Sequence, residues 1–495
     1  MNFDLFSISP ELILALGGIL VLAVGLFGRN RRPGPVGLFS PETIGLLVLI
    51  GALVPSIMLM ARVMSGERPE AYQFGGLFAV DGLALFFKPI AIISTGIVML
   101  LAIDYFKRID FHRGEFYALL IFATLAITSL AASTDLIMIY LSLEFLSLTS
   151  YVLVGYLKRD PKSSEAAIKY FLFGAVSAAV MLYGMSILYG MTGQTSISGI
   201  TSAFRGGLMS SPLLFVATAF VLVGFGFKIA IVPFHQWAPD AYEGAPTPIT
   251  AFLSVGSKAA GFAVVLRVLA TGLAPDIVNW TPVIIGLCAI TMTVGNLIAI
   301  PQTNIKRMLA YSSIAQAGYL LLGIAAMPYS TLAVTSVLLY ILVYLFMNLG
   351  AFGVVTILSA RLQSDKIDDY AGLIKRSPVA AVCMAVFMLS LAGIPPTAGF
   401  IGKLYLFMAA LQANNAALLW LAAIAGVNTI IAVYYYFNIV RVMFFVNAED
   451  ETPIDSSRPI KFVLALTTAM TFTVLLYPQP FIKIAQLSAS MLTGM

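Results

Sequence analysis

Charge is what this sequence has least of. Asp, Glu, Lys and Arg make up 10% of its 495 residues, against about 25% in a soluble domain. Apolar residues make up 60%, and the mean hydropathy is +0.96. A soluble fold is excluded, and a polytopic membrane protein is expected. The net charge of +5 is too small to suggest a nucleic-acid partner. The chain has two cysteines, Cys288 and Cys383, both in apolar runs. They are too few for a zinc site or an iron–sulfur cluster within this chain, and buried thiols are the simpler expectation. Neither of the two histidines, His112 and His235, has a partner spaced for haem or zinc. A Gly-rich phosphate loop with its lysine and hydroxyl is absent, which excludes ATP hydrolysis, and there is no dinucleotide fingerprint. Cofactor and metal sites are therefore expected to be none in this chain. Redox energy, if it is used, must come from another protein. The N-terminus lacks a basic leader and a small-residue cleavage site, so its first apolar run is expected to be a retained helix.

What the sequence has is long apolar runs. A span needs about 20 mostly apolar residues, and fourteen such runs are legible: 10–28, 42–62, 80–103, 116–132, 135–157, 166–190, 212–238, 248–271, 280–300, 308–327, 330–359, 377–411, 417–445 and 460–478. The fold class is all-α and polytopic, with the seventh and twelfth spans broken by proline.

The basic residues give the orientation. Loops leaving odd-numbered spans hold eighteen Lys and Arg: Arg29, Arg31, Arg32, Lys107, Arg108, Arg113, Lys158, Arg159, Lys162, Lys306, Arg307, Arg361, Lys366, Lys375, Arg376, Arg441, Arg458 and Lys461. Connections leaving even spans, with the C-terminal tail, hold four: Arg62, Arg68, Arg205 and Lys483. The positive-inside rule then puts the odd exits in the cytoplasm or its organellar equivalent, with both termini on the outer side. The link between the seventh and eighth spans breaks the pattern, with Asp240 and Glu243 in place of basic residues.

A faint repeat divides the chain. Spans 4–8 and 9–13 each number five, so the second unit enters from the opposite side, and in each the fourth helix has a proline break and a lysine. Lys228 and Pro233 serve the first, and Lys403 with Pro395–Pro396 the second. The match is imperfect, because Lys228 precedes its proline and Lys403 follows. Corresponding broken segments in two halves point to an inverted-repeat transporter. The expected division is 1–115, an N-terminal three-helix segment; 116–272 and 273–446, two half-channel repeats; and 447–495, the last span and tail.

The stretch GFGFKIAIVPFHQWAPDAYEGAPTPITAFLSVGSK, 224–258, organises the rest. It sets Lys228, His235 and Lys258 around a proline-rich link. Ionisable groups at membrane depth are costly and usually mark an ion or proton path. Lys228, Lys258 and Lys403 each lie several residues inside an apolar run, where a desolvated lysine can exchange its proton near neutral pH. Glu144 is the one acid deep in the fifth span. A Glu–Lys pair there is either a switch that depends on the lysine's protonation or a static ion pair. His235 is either a relay or a satisfied hydrogen-bonding group. Lys88 reads equally as a paired structural charge. Lys169 and Arg267 lie near enough to helix ends to snorkel, and Asp135 sits near a helix start, where an acid suits the dipole. Asp240 and Glu243 either tether their loop, the favoured reading, or line the mouth of a path. Tyr311, Ser312 and Ser313 either carry water or hold helices together.

Three stretches carry a family resemblance. KIAIVPFHQWAPDAYEGAPTPITAFLSVGSK and NIKRMLAYSSIAQAGY resemble the two signatures of the proton-conducting, antiporter-like subunits of respiratory complex I, the proton-pumping NADH:quinone oxidoreductase. SLEFLSLTSYVLVGYLKRDPKSSEAAIKYF resembles the helix-five to helix-six segment of the N type, also called chain 2. Three features favour that type: Tyr242-Glu243-Gly244, a lysine at 403 where the M type typically has glutamate, and an end 17 residues after the fourteenth span, without the long lateral helix of the L type.

The resemblance implies roles position by position. Glu144 and Lys228 would be the coupled pair, Lys258 the link to the second half-channel, Lys403 the exit-side residue, and His235 a relay between channels. It also implies electron transfer from NADH to quinone through FMN and iron–sulfur clusters held by other subunits. The partners would be the other membrane subunits, the antiporter-like M type and small ones among them, and through these the hydrophilic arm. The setting would be the lipid bilayer of the cell inner membrane. A photosynthetic relative that accepts electrons from ferredoxin has a similar chain. Two other functions fit the buried charges: a multisubunit cation/proton antiporter without redox chemistry, and a membrane scaffold whose charges are static pairs.

Overall fold

The computed structural model describes residues 4–27, 39–67, 72–106, 113–205, 212–273, 277–448 and 451–493. The helices follow in order as α1 (Ser9–Phe27), α2 (Pro41–Met64), α3 (Gly82–Tyr105), α4 (Arg113–Ala132), α5 (Leu136–Val154), α6 (Pro161–Thr192), α7 (Ile197–Ala203), α8 (Pro212–Ile229), α9 (Trp237–Gly244) and α10 (Thr247–Phe252). After these come α11 (Lys258–Arg267), α12 (Ile277–Ala299), α13 (Ile305–Ala325), α14 (Ala333–Leu362), α15 (Leu373–Arg376), α16 (Pro378–Ala392), α17 (Ala398–Gln412), α18 (Ala416–Phe445), α19 (Arg458–Leu476) and α20 (Gln479–Thr493). Thirteen helical segments among the described residues are long and apolar enough to cross a membrane. The pair α16 and α17 fills the place of the expected twelfth span as two halves of 15 residues each.

Polar residues at the ends set where many helices start. Asp81, Asp135, Asp160, Asn304 and Asn415 each accept a backbone N–H in the first turn of α3, α5, α6, α13 and α18, which satisfies donors the helix cannot. Asp135 thus has the helix-start role its position suggested. The whole stretch Thr247–Gly272, together with α13 and α14, is buried along nearly its full length. These helices form the polar centre of the bundle. Two π turns, Leu253–Ser257 and Val268–Gly272, flank α11. The first delivers Lys258, and such turns recur at functional positions. Apolar periodicity gives no sign of them.

Several elements lie outside the expected spans, α7 and α15 among them. A short hairpin pairs Tyr72–Gln73 with Phe78–Ala79. The C-terminal helix α20 packs on α3 and α14. Gly82 permits that approach, since a Cβ there would meet the Ser488 Cα at 2.8 Å.

The two breaks share one backbone construction. After α8, Ala230 is left-handed (φ +57); its N–H bonds the Phe227 carbonyl, and that of Ile231 bonds Gly226. After α16, Gly393 is left-handed (φ +81); its N–H bonds Ser390, and that of Ile394 bonds Leu389. Both are Schellman ends. Aligning them pairs Ile231 with Ile394 and Pro233 with Pro396, and it pairs Lys228 with Leu391. Lys228 and Lys403 are therefore not equivalent positions. One lies in the last turn of the leading half-helix, and the other lies in the trailing half.

Ion pairs tie together several of the described basic loops. Arg307 bonds Asp240 (2.6 Å) and Glu243 (3.2 Å), Lys169 bonds Asp240 (2.9 Å), and Lys162 bonds Glu243 (3.5 Å). Lys306 bonds Asp365 (3.1 Å), and Lys375 bonds Glu451 (2.8 Å). Asp240 and Glu243 therefore tether the acidic link, as favoured, and their loop needs no basic residue of its own. Burial alone would raise the Asp240 carboxyl, but Lys169 and Arg307 hold it below the ordinary carboxylate range. Lys169 is held in this pair and another with Glu165 (2.7 Å) instead of snorkelling. His112, Arg29, Arg31, Arg32, Arg68, Lys107 and Arg108 lie outside the described residues.

Two more buried cations are paired. Lys88 meets Glu11 at 3.1 Å, the structural alternative for that residue. Arg267 does not snorkel. Its side chain is 3% exposed, and it grips Asp81 through both nitrogens (2.6 and 2.9 Å) and the Ala131 carbonyl (2.7 Å).

Candidate proton path

Three buried lysines mark a line through the bundle, and each is held by a different kind of partner. Lys228, fully buried in the last turn of α8, donates to the Ser147 hydroxyl of α5 at 3.2 Å. Ser147 lies three residues from Glu144, on the same helical face. Glu144 is half-buried. Among the described residues no ion pair or hydrogen bond joins its carboxylate to the Lys228 ammonium. The expected Glu144–Lys228 pair is therefore not in direct contact, and Lys228 is held by Ser147, a residue sequence reasoning did not single out. The indole of Trp237 closes the end of α8 by donating to the Phe227 carbonyl at 2.9 Å.

The side chain of Lys228 lies against α11. A Cβ at Gly261 would stand 3.3 Å from its Cγ, so the absence of a side chain at 261 is what lets the two elements close. Lys258 begins α11, one turn before Gly261. It donates to the Ser313 carbonyl of α13 at 2.7 Å. Beside it is a small enclosed space of about 10 Å³, lined by Phe262, Gln316, Ile341 and Tyr344 among others. That is about the room one water needs. The Ser313 hydroxyl takes a hydrogen bond from Tyr344 (3.0 Å) and lies 3.5 Å from the Tyr242 hydroxyl.

One turn on, Gln316 continues the line. Its amide N–H donates to the Leu391 carbonyl (3.0 Å) and to the Tyr436 hydroxyl (3.1 Å), and its oxygen accepts from Tyr340. Tyr436 also meets Ser312 at 2.6 Å. Leu391 and Ala392 are the last residues of α16. Lys403 reaches back from α17 to the Ala392 carbonyl at 3.0 Å and lies over the Tyr319 ring at 4.4 Å. An ammonium at the carbonyl end of a half-helix suits the helix dipole. The polar line from Lys258 to Lys403 therefore runs through Ser313, Gln316 and the last carbonyls of α16. Ser312 and Ser313 belong to it; their hydroxyls bond tyrosines rather than an open channel.

His235 is not brought into this line. It sits half-buried in the link between α8 and α9, with its Nδ1 buried and without a hydrogen-bond partner. It touches none of the three lysines. Of the expected site residues, Lys258 and Lys403 lie on this line, Lys228 is held by Ser147 beside α11, and among the described residues no hydrogen bond or ion pair joins Glu144 or His235 to any of the three lysines. Gln316, Tyr340, Tyr344 and Tyr436 are the members that sequence reasoning missed. Their spacing is ordinary for apolar helices, and only packing shows that their polar ends converge. The structure predicts that Gln316→Leu, which strands the Leu391 carbonyl and the Tyr340 hydroxyl, costs about 2 kcal/mol. A lowered unfolding temperature in detergent checks this.

Cys288 in α12 and Cys383 in α16 are buried and free. Among the described residues, no three His, Cys, Asp or Glu side chains come together to hold a metal ion.

Fold and polar line together define the class: a multi-pass membrane protein of the antiporter-like type, with two proline-broken helices facing a buried lysine series. Known proteins agree. Residues 133–432 match the family described as "NADH:quinone oxidoreductase/Mrp antiporter, TM". The chain is 42% identical to NADH-quinone oxidoreductase subunit N of Heliobacterium modesticaldum over 99% of its length and 100% of the relative's. It is 44% identical to NAD(P)H-quinone oxidoreductase subunit 2 of a Synechococcus strain, over 89% of this chain and 81% of that one. A chain of the respiratory complex I of Thermus thermophilus with bound Aureothin superposes with TM-score 0.78 and 32% identity, covering 96% and 99% of the two chains. The chain belongs to the NADH-quinone oxidoreductase subunit N family.

Proposed function

We propose that this chain moves protons across the membrane as the N-type subunit of a NADH:quinone oxidoreductase. The observation that carries the reading is the buried line from Lys258 through Ser313 and Gln316 to the end of α16 and Lys403. Three lysines at membrane depth lack a carboxylate in contact. A static structural charge is normally paired, as Lys88 and Arg267 are. An unpaired desolvated lysine is instead able to lose and regain its proton near neutral pH. Glu144 biases Lys228 through space, Ser147 holds the ammonium, and a proton lost from Lys228 passes to Lys258 and on to Lys403. His235 enters as a relay only through a water or a movement of its loop. Residues 116–272 and 273–446 act as the two half-channel units. In this reading NADH, FMN, the iron–sulfur clusters and quinone are handled by other subunits. The chain sits in the cell inner membrane with the paired basic loops on the cytoplasmic side, next to M-type and smaller membrane subunits.

The family description also covers Mrp antiporters, so the second reading is a cation/proton antiporter without redox chemistry. Extraction in mild detergent separates the two. The redox reading predicts that flavin and iron–sulfur proteins co-purify and that the material oxidises NADH with quinone. Co-purification with cation-antiporter subunits alone, without NADH oxidation, would assign the lysines to an ion exchanger.

A further inference from the structure

A groove of about 970 Å³ opens at the ends of α4, α5 and α6. Its walls and mouth differ in character. Val152, Ile168 and Phe171 form the wall, and all three are exposed, by 54%, 59% and 47%. Lys158, Arg159 and Glu115 stand at the mouth. Among the described residues none of these three charged groups has an ion-pair partner, although the neighbouring Lys162 and Lys169 are both paired. Asp160, also in the groove, is already engaged, accepting the Lys162 N–H that starts α6. Two cations without an ion-pair partner and the carboxylates of Glu115 and Asp160 therefore line a space that also has an apolar wall.

We propose that this groove binds an aminophospholipid of the phosphatidylethanolamine type. The phosphate would sit on Lys158 and Arg159, since guanidinium and ammonium groups bind phosphate oxygens through charge-assisted hydrogen bonds. The headgroup ammonium carries N–H donors and would sit on Glu115. One acyl chain would lie along Val152, Ile168 and Phe171, where the exposed side chains run into the membrane-spanning parts of α5 and α6. The complementarity selects among lipids. Phosphatidylglycerol has no cation for Glu115. Phosphatidylcholine has a cation but no N–H to donate. The groove volume lies in the range of sites that enclose most of a small ligand, and here it holds the headgroup and the upper chain.

A photo-crosslinking residue placed at Ile168 in the full membrane assembly tests this. After irradiation of native membranes, the expected adduct is this chain plus one aminophospholipid, read by mass. Lys158→Gln with Arg159→Gln is expected to lower the adduct at least about tenfold, through loss of two charge-assisted contacts. Glu115→Gln is expected to keep an adduct and lose the preference for ethanolamine over choline headgroups in reconstituted vesicles. An adduct with another protein subunit would overturn the proposal, as would one with phosphatidylglycerol alone. So would an aminophospholipid adduct unchanged in the double variant. The crosslink in the otherwise unaltered chain decides the matter even if the double variant fails to assemble.

Discussion

Replacing Lys228 by arginine is expected to lower quinone-linked NADH oxidation by the assembled complex at least about tenfold. General acid–base groups contribute on the order of a hundredfold or more when they act. Arginine keeps the positive charge next to Glu144 and Ser147, but it does not deprotonate in proteins. A static role for Lys228 predicts that Lys228→Arg works and that Lys228→Met fails by misassembly. A relay role predicts that both fail in turnover while the complex still forms. The control is NADH oxidation by an artificial acceptor that bypasses the membrane arm, which should be unchanged per flavin. The argument rests on the contrast between this lysine and the other buried cations. Lys88 and Arg267 each have a carboxylate within 3.1 Å, whereas Lys228 has a hydroxyl at 3.2 Å. Lysines without a carboxylate contact recur at 258 and 403, where backbone carbonyls take the N–H groups.

The second large effect concerns stability rather than turnover. Arg267→Met is expected to destabilise the protein by about 3 kcal/mol or more, because it leaves Asp81 without its guanidinium where α3, α4 and α11 meet. The pH dependence carries a sign that distinguishes this from a packing defect. Burial alone would raise the Asp81 carboxyl. In the parent, the Arg267 guanidinium beside it outweighs burial and holds it below the ordinary carboxylate range. A depressed native value gives stability that is present above the unfolded value of about 4 and lost as pH falls through the lower native value. In Arg267→Met no guanidinium offsets burial, so the carboxyl rises. The variant should then regain stability as pH falls from 7 towards 5, where the parent does not. Unfolding temperatures at pH 7 and pH 5 in the same detergent decide it.

Much of this was legible in the sequence, for physical reasons. A span must be apolar for about 20 residues, so the helices and the two proline breaks stand out of the composition. A charge at membrane depth is costly enough that each one needs an explanation, so Glu144, Lys228, Lys258 and Lys403 stand out as candidates from the sequence alone. What the sequence hid depends on packing across the chain. Arg267 reads as a snorkelling residue because it lies near a helix end, and only the fold shows Asp81, 186 residues away, beside it. Ser147 and Gln316 are ordinary polar residues in apolar helices, and their roles come from where Lys228 and the end of α16 arrive. The π turn before Lys258 leaves no mark in apolar periodicity. The proline register alone left the correspondence between the two lysines open. The matching Schellman ends pair Lys228 with Leu391, because the same backbone construction is used with the lysine entering from opposite halves.

A lysine line that carries protons is vulnerable at Lys258, which donates across to Ser313 of α13 and contacts no carboxylate. Parent and Lys258→Met complexes would be reconstituted in sealed vesicles, normalised by flavin, and followed for inward acidification on NADH addition. Proton translocation per assembled complex is expected to fall at least about tenfold in the variant. Equal translocation per assembled complex, with only the yield of assembled complex reduced, would contradict a proton-carrying line and leave the buried lysines as scaffold.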